Sequence, residues 1–420
     1  MVKLLVIADD FTGALDTSVQ FAKQGISSVV NVLDNDNVSR LISRGDCEVL
    51  AVDIESRHLS PAGAYERVSS LVRRAIELGV EFIYKKTDSA LRGNIGSELA
   101  GMLDNIPPNE LIFVPAFPKA GRVTIKGCHY VNNVPVNDSE FAKDPFNPVH
   151  YADVSSIILD QSNIATRCVH FDEFAKLLDG RAAEKTIYVV DARSDEDLEL
   201  IGTVLSRSNK ANFLAGCAGM AALLPSLLNF KRGSLSQDVV AGNTLVVSGS
   251  ISPLVSRQVR YGQRKCRYSV MTLSPEQLIM PEKTNIPDFV KRVELALAEN
   301  GKLILEAPQN KEQLRRNEEY AFLCGIAPEG IAMRIASNMG LLTREIIISQ
   351  QVDRLVIFGG DTLRGVMDKL NVLGVQPLQE IAPGVVFSKL IGGISPMSVI
   401  TKAGGLGGDN VLEEIDKFLN

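Results

Sequence analysis

Short apolar runs alternate with amphipathic stretches along nearly the whole chain, and this constrains the fold more than any other feature. In the first half, strands are expected at 4–8, 28–32, 49–54, 82–86, 112–115, 187–191 and 213–215. Helical patterns at 13–23, 62–78 and 95–103 lie between them. Such alternation implies a mostly parallel sheet covered on both faces. The stretch 119–149 differs: it is rich in Pro, Asn, Gly and Asp, and reads as a long excursion. Structureless loops of that length are uncommon and often functional.

Residues 229–243 break the alternation, which then restarts. Strands are expected at 244–247, 269–273, 303–306, 355–358, 385–390 and 398–401, with helices at 253–262, 287–299, 329–338, 363–370 and 410–419. With 420 residues to accommodate, we expect two α/β domains, 1–230 and 244–420, with mostly parallel sheets and an active-site cleft between them.

Composition narrows the function. Hydrophobic content of 45% and charged content of 22% are ordinary for a globular chain. A net charge of -6 disfavours a nucleic-acid partner. No signal-peptide pattern precedes the first strand, and no apolar run approaches the roughly 20 residues that span a bilayer. A cytoplasmic protein without a membrane partner is expected; the reading leaves room for a homodimer. The six cysteines are widely spaced with no CxxC pair, so idle or buried thiols are expected.

In open parallel sheets ligands bind beyond the carboxyl ends of the strands, so chemistry is sought there. The first strand ends in Asp9-Asp10-Phe11-Thr12-Gly13: a paired carboxylate that suits a base or a cation site, although Asp10 or Thr12 could simply cap the next helix. The third strand is followed by Arg57, and the fourth runs into Lys86-Thr87-Asp88-Ser89 and then Arg92. A solvated surface ion pair is the plain alternative. The functional reading is a pocket for a small hydroxylated acid, in which Arg57, Lys86 and Arg92 hold a carboxylate while Asp10 and Asp88 accept from hydroxyls.

The second half offers three strand-end turns of small residues: Ser248-Gly249-Ser250-Ile251-Ser252-Pro253, Gly359-Gly360-Asp361-Thr362, and Thr401-Lys402 followed by Gly404-Gly405. Such turns let backbone N–H groups approach a phosphate at a helix N-terminus. Neither GxxxxGK[ST] nor GxGxxG is present. The four histidines show no ligand spacing, and the serines near 248–252 have no partner histidine at a recognisable spacing.

The ordered set ADDFTGALDT, KKTDSALRGNIGSEL, PAFPKAGR, SGSISP, FGGDT and TKAGGLG resembles the four-carbon acid sugar kinase family over nearly the whole chain. That resemblance implies an N-terminal sugar-acid domain and a C-terminal nucleotide domain. It implies ATP-dependent phosphorylation of the terminal (C4) hydroxyl of a tetronate: D-threonate first, erythronate or 3-oxo-tetronate as alternatives. By position, Asp10, Arg57, Lys86, Thr87, Asp88, Ser89 and Arg92 would face the acid. Ser250, Gly359, Gly360, Asp361, Thr362, Gly404 and Gly405 would face ATP. Mg²⁺ is expected with ATP, Asp361 being its candidate ligand, and Asp88 and Asp10 are both candidates for the catalytic base. Ala90, Cys217 and Leu406 depart from the family's usual residues without removing a charge. A sugar-acid lyase or isomerase, or a binding protein for a small acid, are the rival readings.

Overall fold

The apolar runs become strands because each is buried on both faces: β1 (Leu4–Ala8) and β3 (Val49–Asp53) expose almost nothing along their length. The computed structural model describes residues 2–420 apart from 33–34, 145–146, 179, 181, 209, 236–238, 251, 309–310, 396 and 403. Two positions of the motif turns, Ile251 and Ala403, therefore lie outside the described residues, as does part of the 229–243 break. The chain divides into two compact units, Met1–Leu235 and Ser236–Asn420.

In the first unit, β1 and β3 join β2 (Ser28–Val32), β4 (Phe82–Lys86), β5 (Glu110–Val114), β9 (Ala165–Val169), β10 (Thr186–Val190) and β11 (Phe213–Gly216). Their order is β2-β3-β1-β4-β11-β5-β10-β9, and every pairing is parallel. The chain leaves β1 toward one side of the sheet and returns at β4 on the other, so β1 and β4 flank a topological switch point. Crevices for ligands open at such points.

The excursion is not structureless. It holds a small antiparallel sheet of β6 (Arg122–Ile125), β7 (Cys128–Val131) and β8 (Val134–Pro135). Its two hairpin turns, Lys126-Gly127 and Asn132-Asn133, place both central residues at positive φ. That is the type I′ geometry that two-residue hairpins favour. The apolar stretch 220–228 is likewise broken, into Ala218–Ala221 and Leu224–Leu227, with Pro225 in the first turn of the second piece.

In the second unit, β12 (Thr244–Ser248), β13 (Ser269–Thr272), β14 (Lys302–Glu306), β15 (Arg354–Phe358) and β18 (Ser398–Lys402) are parallel in the order β13-β14-β12-β15-β18. An antiparallel hairpin follows in the order, β16 (Val372–Ala382) against β17 (Val385–Gly392), with β17 on β18. β16 was not expected. Its Pro377 argues against a strand, and the pairing accommodates it with a register shift between Pro377 and Gln379. The helix expected at 329–338 extends over Pro328–Ile348. Among the described residues, no helix is long and apolar enough to cross a membrane, and all six cysteines are free.

Candidate active site

The carboxyl ends of β1, β3 and β4 carry the charged residues of the first unit. Asp10 sits in extended backbone just before the helix Phe11–Ala22, and its Oδ1 accepts from Gly13 N at 2.8 Å. The capping reading is therefore correct for one oxygen. The other, Oδ2, lies 3.0 Å from Arg57 Nη1. Asp9, the residue before it, is buried, and its Oδ2 receives both Nε and Nη2 of Arg57, at 2.9 and 2.7 Å. The sequence offered Asp9 only as half of a carboxylate pair; in the structure its side chain does most to orient Arg57. Gly93, at φ +86°, makes room for that arginine: a Cβ there would stand 3.1 Å from Arg57 Cγ.

Asp88 is saturated. Its carboxylate accepts from Arg92 Nε and Nη2 at 3.0 and 2.9 Å, from Ala90 N at 3.1 Å and from Arg92 N at 3.3 Å. Burial opposes its ionisation, but the Arg92 pair and the charges of Arg57 and Lys86 outweigh burial and hold the carboxyl well below the usual range. Arg57, for its part, is raised above its ordinary value: burial alone would lower it, but Asp9, Asp10 and Asp88 outweigh that. Asp10 behaves oppositely to Asp88. Burial pushes its carboxyl up, and Arg57 cancels only part of the rise. Of the three carboxylates, Asp10 is also the most accessible: its side chain is 33% exposed, against 2% for Asp9 and 10% for Asp88.

The remaining predicted residues of this unit converge on the same corner. Lys86 Nζ donates to Thr87 O at 2.8 Å, and the buried Thr87 Oγ1 has no hydrogen-bond partner among the described residues. Ser89 contributes its backbone: His129 Nε2 lies 2.9 Å from Ser89 O, and Thr124 Oγ1 is 3.1 Å from the other ring nitrogen. Burial lowers the His129 pKa to about 4, so Nε2–H donates to that carbonyl while Nδ1 accepts. Arg92 Nη1 reaches Asp144 Oδ2 at 3.2 Å, and its guanidinium lies 5.1 Å from the Phe141 ring centre. The excursion thus supplies His129, Phe141 and Asp144, which hold the 87–92 segment. Beneath the site, Lys85 Nζ pairs with Glu98 at 2.9 Å, both fully buried, and Ser56 Oγ donates to the other Glu98 oxygen. Burial raises the Glu98 pKa against the pull of Lys85.

Of the departures from the family pattern, Ala90 is buried and offers its N–H to Asp88. Cys217 turns its thiol toward Pro115 O and Ala116 O, at 3.1 and 3.2 Å. Leu406 is 43% exposed.

The second unit gathers its candidates at the ends of β12, β15 and β18. Gly359 has φ +98°, and a Cβ on it would stand 3.5 Å from Ser250 Cβ. A Cβ on Gly249 would meet Thr362 Oγ1 at 2.4 Å, so that position excludes a side chain. Gly404 approaches Ser250 Oγ, with a hypothetical Cβ at 3.4 Å, while Gly405 faces open space. The helix Gly360–Lys369 begins here with no side-chain cap, leaving its first N–H groups available. Thr362 is buried in its first turn and Asp361 is exposed there. Ser252 does not cap the helix Pro253–Lys265 with its side chain; instead Ser250 Oγ accepts from Ser252 N at 3.3 Å. Lys402, which sequence reasoning left out of the site, is 2% exposed at the end of β18, and its Nζ donates to Gly404 O at 3.1 Å.

No group of three or more His, Cys, Asp and Glu side chains suited to a metal occurs among the described residues. Mg²⁺ in phosphoryl-transfer sites commonly takes one or two carboxylates and completes its shell with substrate phosphates and water. The exposed carboxylate of Asp361, beside the glycine turns, fits such a single-ligand role.

One unit presents a charged corner and the other a glycine-lined helix start, each at the carboxyl ends of parallel strands in a two-unit α/β protein. Residues 4–224 match the model of a sugar-binding N-terminal domain, and residues 245–412 that of a nucleotide-binding C-terminal domain. The chain is 31% identical over 98% of its length to a D-threonate kinase of Salmonella typhimurium, covering 96% of that protein. It is 29% identical to a D-erythronate kinase of Heliobacterium modesticaldum, with 98% and 95% covered. It is 27% identical to a 3-oxo-tetronate kinase of Methylobacterium radiotolerans, with 96% of each covered. A crystal structure of a Haemophilus influenzae protein superposes with a TM-score of 0.77 at 21% identity, over 99% of this chain and 100% of that one, and shows the shared fold. The chain belongs to the four-carbon acid sugar kinase family, and it is a phosphotransferase of that family.

Proposed function

We propose that the protein transfers the γ-phosphoryl group of ATP to the C4 hydroxyl of a four-carbon sugar acid, D-threonate in the first instance. The observation that carries this reading is the pairing of a densely charged switch point in one unit with a glycine-lined switch point in the other. Phosphoryl transfer asks mainly for positioning and charge stabilisation, and the two sets of residues divide that work.

Asp10 is the base. Its carboxyl is the most accessible of the three, and its raised pKa makes it the better proton acceptor; Asp88 is committed to Arg92. Asp9 fixes Arg57 so that its Nη1 faces the working oxygen of Asp10. Arg57, Lys86 and Arg92 make the corner receptive to an acid, and Thr87, Ser89 and Asp88 complete the set that faces it. In the second unit, Ser250, Gly359, Gly360, Thr362, Gly404 and Gly405 receive the nucleotide. Mg²⁺, held by Asp361, would neutralise the charge on the β- and γ-phosphates. Against a lyase or isomerase stands the second switch point, which such an enzyme would not need.

The test is a coupled ADP-release screen over D-threonate, L-threonate, D-erythronate, L-erythronate and 3-oxo-tetronate. ADP release should be fastest with D-threonate and absent without an acid. Turnover of these acids without ATP consumption would overturn the kinase reading. A higher kcat/KM for another stereoisomer would reassign the substrate.

A further inference from the structure

The buried lysines of this protein are held in different ways. Lys85 pairs with Glu98 at 2.9 Å. Lys86 lies within the field of Asp10 and Asp88. Lys402 is as buried, at 2% exposure, yet no carboxylate pairs with it among the described residues. Its Nζ donates once, to Gly404 O at 3.1 Å, and lies 5.0 Å from the centre of the Phe358 ring. An ammonium has three donors, and burying one without a counter-ion is costly. Burial alone, with no neighbouring charge to offset it, lowers the Lys402 pKa to about 8. The ring beneath it recovers part of the cost. What is missing is an anion.

The surroundings suit one. Lys402 pairs in parallel register with Phe358, so it ends β18 level with the end of β15, just before Gly359. Gly359 N bonds to Lys402 O at 2.9 Å, tying the two turns together. Beyond Gly359 the uncapped helix Gly360–Lys369 presents free N–H groups, and the positive end of its dipole favours negative charge. Two further hydroxyls lie at these strand ends: Ser250 beside Gly404, and Ser248, which ends β12 in register with Phe358 and whose buried Oγ has no hydrogen-bond partner among the described residues.

We propose that Lys402 binds the phosphate chain of the nucleotide directly, supplying the counter-charge that the glycine turns cannot. This deepens the reading of the second unit as the nucleotide unit and rests on it. Lys402 works as a point charge, and no Walker-type loop is needed to place it.

Isothermal titration of the full-length protein with MgATP, MgADP and adenosine tests the assignment. Lys402→Met keeps the apolar stem and removes the charge. It should weaken ATP and ADP at least tenfold, leave adenosine within twofold, and raise or preserve the Tm of the free protein, since an unpaired buried charge is removed. Lys402→Arg should recover part of the loss. Should Lys402→Met fail to fold, wild type still decides. At pH 8.5 nucleotide binding should be accompanied by net proton uptake, read from the buffer dependence of the binding heat, because the phosphate restores charge to a lysine whose pKa burial lowers to about 8. ATP affinity changed less than twofold in Lys402→Met, adenosine weakened as much as ATP, or no proton uptake in wild type would each overturn the role of Lys402. Absence of any ATP binding by wild type would instead overturn the nucleotide reading beneath it.

Discussion

The two units use the same strand order around their first strand, with opposite chemistry at its end. β2-β3-β1-β4 and β13-β14-β12-β15 are equivalent arrangements, each with a switch point beside its first strand. In the first unit that point holds Asp9, Asp10, Arg57, Asp88 and Arg92, bound into a network of charge-assisted hydrogen bonds, with Lys86 within their field. In the second it holds Ser250, Gly359, Gly360 and Thr362, with Lys402 as the one buried charge among the described residues there. The fold provides a place in both; the first few residues after each strand decide what it receives. A compact hydroxylated acid calls for directed side chains, whereas a triphosphate can be bound through backbone N–H groups that side chains would obstruct.

The sharpest way to break this contrast is to remove the proposed base. Asp10→Asn should lower kcat by about 10²–10⁴-fold, with the KM for ATP nearly unchanged. In wild type, kcat/KM should fall with decreasing pH as Asp10 takes up its proton, above the ordinary aspartate value because its pKa is raised. A near-normal kcat in the variant would return the role of base to Asp88.

Arg92→Ala should raise the KM for the sugar acid and leave that for ATP alone. Losing a charge-assisted hydrogen bond costs about 1.5–3 kcal/mol, which is roughly a tenfold effect or more. Stability should drop as well, because Asp88 loses its bidentate partner. If the ATP KM rose instead, the division of labour between the units would be wrong.

Asp361→Asn asks whether the second switch point needs a carboxylate. Asp361 is exposed in the first turn and does not cap the helix with its side chain, so the Tm should stay within a few degrees. We expect kcat/KM to fall at least about tenfold, partly restored by raised Mg²⁺. Near-normal activity would leave Asp361 as an ordinary helix-start residue.

The last effect concerns stability and pH. Lys402 has its pKa lowered to about 8 in the folded protein, from an ordinary 10.5. Between those values the unfolded chain binds the extra proton, so this residue makes stability rise as pH rises from 8 toward 10.5. Urea melts at pH 8 and pH 10 should show that rise in wild type relative to Lys402→Met. Parallel pH dependences in the two proteins would mean that Lys402 titrates normally.

Much of this was legible in the sequence, for local reasons. β1, β2 and β4 lie where continuous apolar runs placed them, since a strand buried on both faces has no alternation to hide. The small sheet was missed because its strands are short, although the Asn132-Asn133 pair between two valines was a hairpin signal. β9 was missed because its residues 165, 167 and 168 are exposed, so the apolar run is weak. β16 was missed because of Pro377.

The site divides in the same way. Covalent adjacency puts Asp9 and Asp10 after β1, and Lys86 and Asp88 at and beyond the end of β4, and sequence alone established that these strand ends carry charge. Which carboxylate is free to act depended on tertiary structure. Arg57 arrives from β3, 48 residues away from Asp9, and Asp144 reaches Arg92 from 52 residues away. Coulomb interactions and desolvation depend on distances through space, and packing sets those distances. Asp9, Asp10 and Asp88 look alike as letters. Packing makes the first an anchor, leaves the second able to accept a proton, and commits the third to an arginine. Lys402 follows the same logic: its burial over the ring of Phe358, 44 residues away along the chain, is set by the pairing of β15 with β18.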